Sequence, residues 1–239
     1  MINQDPTGVA ARLAAVRQRI AAACRRAGRP ADDVTLVAVA KGQPIERLRA
    51  AIAAGVTILG ENRVQEADAH RSALADSAGR LAWHLIGPLQ SNKAKTAAEL
   101  FDVVHSVDRP KIARALDREL AARGRRVDAF VEVNLAGEAT KHGFAPDGLA
   151  ATLRPLAGLE HLRIVGVMVI PPPAGAEGSR HWFRRARALA EELAAEPEWR
   201  GFPGLLSMGM SDDFEVAIEE GATHVRVGSA LFGPRETPP

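Results

Sequence analysis

The residue best suited to covalent chemistry in this sequence is Lys41, which directly follows the apolar run VTLVAVA at residues 34–40. If that run is a strand, its side chains alternate between two faces, and Lys41 shares a face with Val37 and Val39. Burial among aliphatic side chains disfavours the ammonium form of a lysine, so its amine can act as a nucleophile. The alternative is a solvated surface lysine, the usual role of a lysine at the end of a strand.

Two short segments rich in glycine and serine could bind an anion. Residues 207–211 (SMGMS) precede a helix predicted to begin near Asp212, and Gly228-Ser229 opens a short final helical turn. Backbone N–H groups at helix starts, beside small residues that let an anion approach, form phosphate cradles. An amine nucleophile next to a phosphate cradle suits a phosphorylated aldehyde or ketone.

A third candidate, Arg226, lies between the apolar residues Val225 and Val227. Alternation therefore places its guanidinium on the opposite face of the strand from these two valines. A buried charge is costly unless an opposite charge meets it, so Arg226 is a candidate anion ligand near the cradle. The alternative is a structural ion pair, with Glu132 or Glu61 as the partner.

The elements that would position these residues are short runs rich in Val, Ile and Leu, which alternate with alanine-rich segments of helical spacing. The eight strand candidates are residues 34–40, 56–60, 81–87, 101–106, 127–134, 162–170, 204–208 and 223–227. Strict alternation favours a parallel sheet with crossover helices. Eight such units in about 250 residues indicate a closed barrel, with the active site at the carboxyl ends of its strands.

We therefore predict an α/β fold, a single (β/α)8 TIM barrel domain over residues 1–239 with an extra N-terminal helix at residues 7–27. Three consecutive prolines at 171–173 predict a loop after the sixth strand. On the fifth strand, alternation points Glu132 and Asn134 into the barrel.

The composition of the sequence argues against several classes of partner and location. Lys plus Arg number 31 and Asp plus Glu 29, so the net charge is only +2, and no basic run with interleaved aromatics suggests nucleic-acid binding. One cysteine, Cys24, permits no internal disulfide. The first residues lack the pattern of a signal peptide, and no apolar stretch reaches about 18 residues. We expect a cytoplasmic protein with no membrane or nucleic-acid partner.

Two histidines, His84 and His105, lie on the third and fourth predicted strands. Metal ligation is one interpretation, but no tight spacing of His, Cys and carboxylates accompanies them, so packed or hydrogen-bonded histidines are the preferred interpretation.

Several motifs together resemble a known family. These are VAVAKGQP, GENRVQE, WHLIGPLQSNKAK, HSVD, VNLAGEATKHGF and LSMGMSDDFEVAIEEGATHVRVGSALFG, in that order over roughly residues 10–233. They are similar to the pyridoxal phosphate homeostasis proteins, the YggS/PROSC family. The resemblance implies a fold type III barrel like the N-terminal domain of alanine racemase. It also implies pyridoxal 5′-phosphate (PLP) as cofactor, held by the lysine as an internal aldimine.

Carried over to this sequence, the resemblance makes Lys41 the Schiff-base lysine and assigns cofactor-binding roles to Asn62, Ser207, Met208, Arg226, Gly228 and Ser229. Members of the family often read serine, lysine, threonine at the first motif, whereas this chain has Ala40-Lys41-Gly42 and so lacks two hydroxyls beside the amine. Ser229 stands where threonine is also common.

The function that the resemblance implies is intracellular PLP homeostasis, with PLP-dependent apo-enzymes as possible recipients of the cofactor. A racemase on this barrel uses a tyrosine from a neighbouring subunit as second base, and this chain has no tyrosine. It also lacks the extra β-domain of those enzymes. An arginine at the ring nitrogen would weaken the electron sink needed for carbanion chemistry. We therefore expect a monomeric carrier without robust catalysis.

Two alternatives remain open at this point. One is a PLP-dependent amino-acid racemase that uses His84 or another side chain as second base. The other is a Schiff-base aldolase that acts on a sugar phosphate without a cofactor.

Overall fold

The computed structural model describes residues 6–77, 81–138 and 140–233, and gives only backbone assignments for residues 6 and 7. Eight parallel strands form a closed barrel in which each strand pairs with its neighbours in chain order and β8 pairs with β1. The strands are β1 Thr35–Val39, β2 Ile58–Glu61, β3 Ala82–Leu85, β4 Val103–Val107, β5 Val127–Glu132, β6 Leu162–Met168, β7 Leu205–Ser207 and β8 His224–Val227.

Helices connect the strands and cover the barrel. They are α1 Pro6–Arg26, α2 Ile45–Ala53, α3 Val64–Ala73, α4 Ala94–Leu100, α5 Pro110–Ala121, α6 Leu149–Leu153, α7 Gly175–Ala194, α8 Phe214–Glu219 and α9 Ser229–Phe232. Short 3₁₀ turns lie at Ala31–Asp33, Ser91–Lys93, Arg154–Leu156 and Pro197–Trp199. The predicted (β/α)8 barrel with an additional N-terminal helix is confirmed.

The hydrophobic core lies between the strands and the helices. Helix α5 shows how the sequence builds it: Ile112, Leu116 and Leu120 recur every four residues, so they share one face, and all three are buried. Helix α1 buries a similar stripe and packs against α2, α8 and α9. The N-terminal helix therefore closes the outer layer beside the first and last units of the barrel.

Strand register decides which side chains enter the barrel. Val37 on β1 pairs with Arg226 on β8, and paired residues of parallel strands point to the same side. A β-carbon on Gly60 would lie 2.7 Å from the Val37 side chain, which places Val37 inside the barrel. Alternation along β1 then directs Val39 to the same side. Lys41 lies in the turn that follows the strand, so the predicted face of its side chain stays a prediction.

All eight predicted strands are present, each with its ends displaced by up to two residues or trimmed. The prolines at 171–173 lie in a loop after β6, as expected. The helix expected to begin near Asp212 begins instead at Phe214, because Asp213 turns back and its carboxylate accepts the Met210 N–H at 2.7 Å. This hydrogen bond holds residues 210–213 in a turn before the helix.

Candidate functional site

Lys41 lies at the carboxyl end of β1 and is half-buried. It lines a cleft of about 780 Å³ together with Asn62, which follows β2. The remaining lining residues come from the segments after β2, β3, β4 and β5: Arg63, Val64, Gln65, Glu66, Pro88, Leu89, Gln90, Lys93, Arg109 and His142. The structure thus brings Lys41 and Asn62 together at the barrel mouth.

The walls of this cleft depend on a close approach of two loops. A β-carbon on Gly87 would lie 2.8 Å from the α-carbon of Asn62, so only glycine fits at position 87 without backbone movement. Ser106 donates a hydrogen bond of 2.5 Å to the Gly87 carbonyl and fixes the segment from below. The loop after β3 therefore supports the backbone that carries Asn62.

The cleft is electropositive. Lys41, Arg63, Lys93 and Arg109 line it, against a single lining carboxylate, Glu66. In the described residues neither lysine forms a salt bridge, whereas Arg109 is bonded to the neighbouring aspartate at position 108 at 2.6 Å. This excess of positive charge attracts anions toward the Lys41 amine.

A second cleft, of about 500 Å³, opens beside the carboxyl end of β8 and is lined by Arg19, Ser211, Asp212, Ser229 and Ala230. The Ser211 hydroxyl accepts hydrogen bonds from the backbone N–H groups of Gly228 (3.3 Å) and Ala230 (3.1 Å). Two backbone N–H groups that converge on one oxygen form the kind of concavity that binds anions. In this structure both N–H groups are satisfied by the Ser211 hydroxyl, and their predicted role as a phosphate cradle stays a prediction.

Lys41 and the Gly228 segment follow adjacent strands, because β1 and β8 are paired. A β-carbon on Gly228 would lie 3.4 Å from the Val39 β-carbon, two residues before Lys41. The loop carrying Ser211 approaches the same edge because Gly209 adopts a left-handed φ of +92° and packs against α8, where a β-carbon would lie 2.9 Å from Phe214. The cradle and the lysine thus lie at adjacent strand ends.

Arg226 lies inside the barrel below this edge and is only 4% exposed. Its guanidinium donates to the Ser207 hydroxyl at 2.7 Å and to the Val169 carbonyl at 3.0 Å. Burial lowers the pKa of Arg226 to about 10, which leaves the group charged at neutral pH, and Glu132 and Asp213 oppose this shift.

The carboxylates proposed as partners of Arg226 have different roles. Glu61 bonds instead to His70 at 2.6 Å and is fully buried. Glu132 contributes a nearby negative charge; burial raises its pKa, Asp108 raises it further, and Arg226 lowers it. Asn134, also expected inside the barrel, binds the Glu138 carbonyl at 2.9 Å and so orders the loop after β5.

Three histidine rings occupy the barrel interior beside Phe130. The His84 and His105 rings bond through Nδ1 and Nε2 at 2.9 Å, and His105 Nδ1 lies 2.7 Å from the Ser207 hydroxyl. Burial lowers the pKa of His84 to about 3 and that of His224 to about 4. Among the described residues no group of three His, Cys, Asp or Glu side chains could hold a metal ion.

Two residues assigned from the resemblance lie away from the open clefts. Ser207 is fully buried beneath the mouth, where it bonds to Arg226 and His105. Met208 is fully buried in the hydrophobic core. The hydroxyl that reaches the cradle from this segment is that of Ser211. The SMGMS pattern had marked the segment, but local sequence does not show which of its two serines faces the N–H groups of β8.

The fold and these two clefts define a (β/α)8 barrel protein with a lysine at its mouth. The sequence matches the family described as "Alanine racemase, N-terminal domain" over residues 11–236. It is 44% identical over 229 residues to the pyridoxal phosphate homeostasis protein of Pseudomonas aeruginosa, covering 95% of this chain and 96% of that protein. Its identity to the protein of the same name from Aquifex aeolicus is 41% over 226 residues, with coverages of 94% and 97%.

A solved structure is also similar to this chain in both sequence and fold. PipY of Synechococcus elongatus, with PLP bound, is 40% identical, superposes with a TM-score of 0.81, and covers 94% of this chain and 100% of that one. The chain therefore belongs to the pyridoxal phosphate homeostasis protein family. None of the helices in the described ranges is both long and apolar enough to cross a membrane.

Proposed function

We propose that this chain binds PLP with Lys41 as the covalent anchor, and that it serves in intracellular PLP homeostasis rather than in catalytic turnover. The observation that carries the proposal is the arrangement at one edge of the barrel. Lys41, the convergent N–H groups at Gly228 and Ala230, and the charged Arg226 belong to the paired strands β1 and β8 and to the segments that follow them. The relatives at about 40% identity carry the homeostasis name.

The residues present fit the chemical groups of PLP. Its phosphate needs convergent donors, and the segments after β7 and β8 offer the Ser211 and Ser229 hydroxyls beside a cleft, with backbone N–H groups that now hold the Ser211 oxygen. Its ring nitrogen needs a polar neighbour, and Arg226 supplies a buried cation. Its aldehyde needs an amine, and Lys41 lines the neighbouring cleft with Asn62.

When bound, PLP supplies an aldehyde that condenses with a lysine amine. The chain's own residues position and retain the ligand: the cradle binds an anion, and the cations of the Lys41 cleft raise the local concentration of anions. We assign Asn62, Arg226, Gly228 and Ser229 to the site and add Ser211. We assign Ser207 to support of Arg226, and Met208 to packing beneath the loop.

The interior histidines support a carrier rather than a two-base enzyme. His84 is buried and bonded to His105, and its pKa of about 3 keeps it neutral at physiological pH. A second acid–base group needs to reach the reacting atom and to exchange protons near the working pH. We also propose a cytoplasmic, monomeric, single-domain protein (residues 1–239) that passes PLP to PLP-dependent apo-enzymes.

The visible absorption spectrum of the purified protein mixed with PLP tests the proposal. The wild type should show the band of lysine-linked PLP, which sodium borohydride should fix to Lys41 as identified by peptide mass spectrometry. Lys41→Ala should lack the band, while Lys93→Ala, a lysine in the same cleft, should retain it. A wild type that stays colourless with added PLP, or a label on Lys93 alone, would refute the assignment.

A further inference from the structure

We infer that Ser207, His105 and His84 form a positioning chain that orients the Arg226 guanidinium, and that its hydrogen bonds run in one direction, from Arg226 to His84. The four side chains come from β8, β7, β4 and β3 and cross the barrel interior. Successive contacts measure 2.7 Å, 2.7 Å and 2.9 Å. All four residues are at least 95% buried.

The direction follows from the donors. An arginine guanidinium only donates hydrogen bonds, so the Ser207 oxygen must accept from Arg226. The single proton of the Ser207 hydroxyl is then free to point to His105 Nδ1, which must be unprotonated to accept it. A neutral His105 therefore carries its proton on Nε2 and donates to Nδ1 of His84. His84 in turn carries its own proton on Nε2.

The opposite direction leaves a buried group without a partner. If His105 carried its proton on Nδ1, Ser207 would accept from both neighbours, and among the described residues its own hydroxyl proton would have no further acceptor. An unmade hydrogen bond in a buried site is costly. A doubly protonated His105 is disfavoured as well, because burial lowers its pKa, with Arg226 among the cations that add to the effect.

The positioning chain restricts the Arg226 guanidinium from the interior of the barrel. One guanidinium nitrogen donates to the Ser207 hydroxyl and the other to the carbonyl of Val169, the residue after β6. The Arg226 backbone N–H donates to the Gly209 carbonyl at 3.0 Å. The planar group is therefore held at two points. The role of this orientation toward the cofactor rests on the proposed function, whereas the direction of the hydrogen bonds does not.

The first test needs no cofactor. In wild-type protein labelled with ¹⁵N-histidine, the imidazole nitrogen shifts should show His105 and His84 as Nε2–H tautomers. A His105 with its proton on Nδ1 would overturn the inference, whatever the protein does with PLP. This result therefore stands apart from any failure of PLP to bind Lys41.

The second test asks whether the positioning chain affects PLP binding. Ser207→Ala removes the link between Arg226 and His105, so we expect the dissociation constant for PLP to rise about tenfold. The absorption maximum of the bound form should also shift, because Arg226 is no longer held at two points. Ser207→Thr keeps the hydroxyl and should restore both. The control Ser179→Ala removes another buried serine hydroxyl, which lies on α7 and donates to the Gly175 carbonyl at 3.0 Å.

This design separates positioning from general loss of structure. A purely structural role would weaken binding in Ser207→Ala and in the Ser179 control to a similar degree, with no shift in the absorption maximum. Such a result, or a Ser207→Ala protein with unchanged affinity and spectrum, contradicts the inference. A shifted spectrum in Ser207→Ala, restored in Ser207→Thr and absent in the control, supports it.

Discussion

Replacing Ser211 with alanine should destabilise the cradle in a measurable way even without cofactor. The Ser211 hydroxyl is the acceptor for two backbone N–H groups, at 3.3 Å and 3.1 Å. A neutral hydrogen bond contributes about 0.5–1.5 kcal/mol net. Both contacts are long and only partly buried, so the loss of the pair should cost about 1–2 kcal/mol. In a protein of this size that lowers the unfolding midpoint by about 2–8 °C.

Thermal unfolding followed by circular dichroism, without PLP, measures this effect. Ser229→Ala is the matched stability control: it removes a serine hydroxyl from the same site, but the Ser229 side chain makes no hydrogen bond among the described residues. Ser211→Thr keeps the hydroxyl and should lose less than Ser211→Ala. In the presence of cofactor, Ser211→Ala should also weaken PLP binding, by about tenfold if a phosphate contact is lost.

The reasoning is refuted if Ser211→Ala unfolds at the wild-type temperature, because the N–H groups of Gly228 and Ala230 would then need no acceptor. It is refuted equally if Ser229→Ala loses as much stability as Ser211→Ala. The loss would then reflect any hydroxyl in this exposed turn rather than the paired hydrogen bonds.

Three further predictions concern the walls of the site. The Glu61 carboxylate raises the pKa of His70 above its usual 6.5. The contribution of this pair to the free energy of unfolding should therefore be complete below about pH 6.5 and disappear as pH rises through the raised pKa. In urea unfolding, the loss of unfolding free energy in His70→Gln relative to the wild type should become smaller as pH rises. Lys93→Glu should slow PLP association several-fold at low salt in stopped-flow absorbance, because it reverses a charge in the cleft. Gly87→Ala should destabilise the protein by about 1–3 kcal/mol in urea unfolding, because its β-carbon meets the Asn62 backbone.

Each of these has a control. If the loss of unfolding free energy in His70→Gln stays constant with pH, the predicted coupling between His70 protonation and stability is wrong. Lys111→Glu changes an exposed lysine on α5 outside the cleft, and an equal slowing there would assign the effect to net charge. Gly158→Ala adds a β-carbon with no atom within 4 Å, so it should be nearly neutral. Equal losses at the two glycines would show that the approach to Asn62 is not the cause.

The barrel could be predicted because its signals are local. Alternating apolar runs and alanine-rich helical segments are written within windows of about ten residues, and each of the eight strands appeared where its run lay. One boundary shifted because of a local turn. Helix α8 begins at Phe214 rather than near Asp212, because the Asp213 carboxylate binds the Met210 backbone.

Some residues of the candidate site could be placed from the sequence and others could not. Lys41, Gly228 and Ser229 could be placed at the mouth because the end of each strand locates the residues that follow it. Ser207 and Ser211 lie four residues apart. The predicted strand 204–208 includes only Ser207, but the sequence does not show which hydroxyl accepts from the Gly228 and Ala230 N–H groups. Ser207 ends β7 and points into the barrel, while Ser211 lies in the following turn and faces β8.

The sequence by itself determined the fold class, the family and the position of Lys41 just after the first strand, because each depends on short-range periodicity or on motifs read along the chain. Tertiary structure alone decided which hydroxyl accepts from the cradle, and that Arg226, Ser207, His105 and His84 are connected. Those four residues come from four strands and span more than a hundred positions of sequence. Their contacts depend on barrel closure and on the register between strands, and neither is encoded in any one segment.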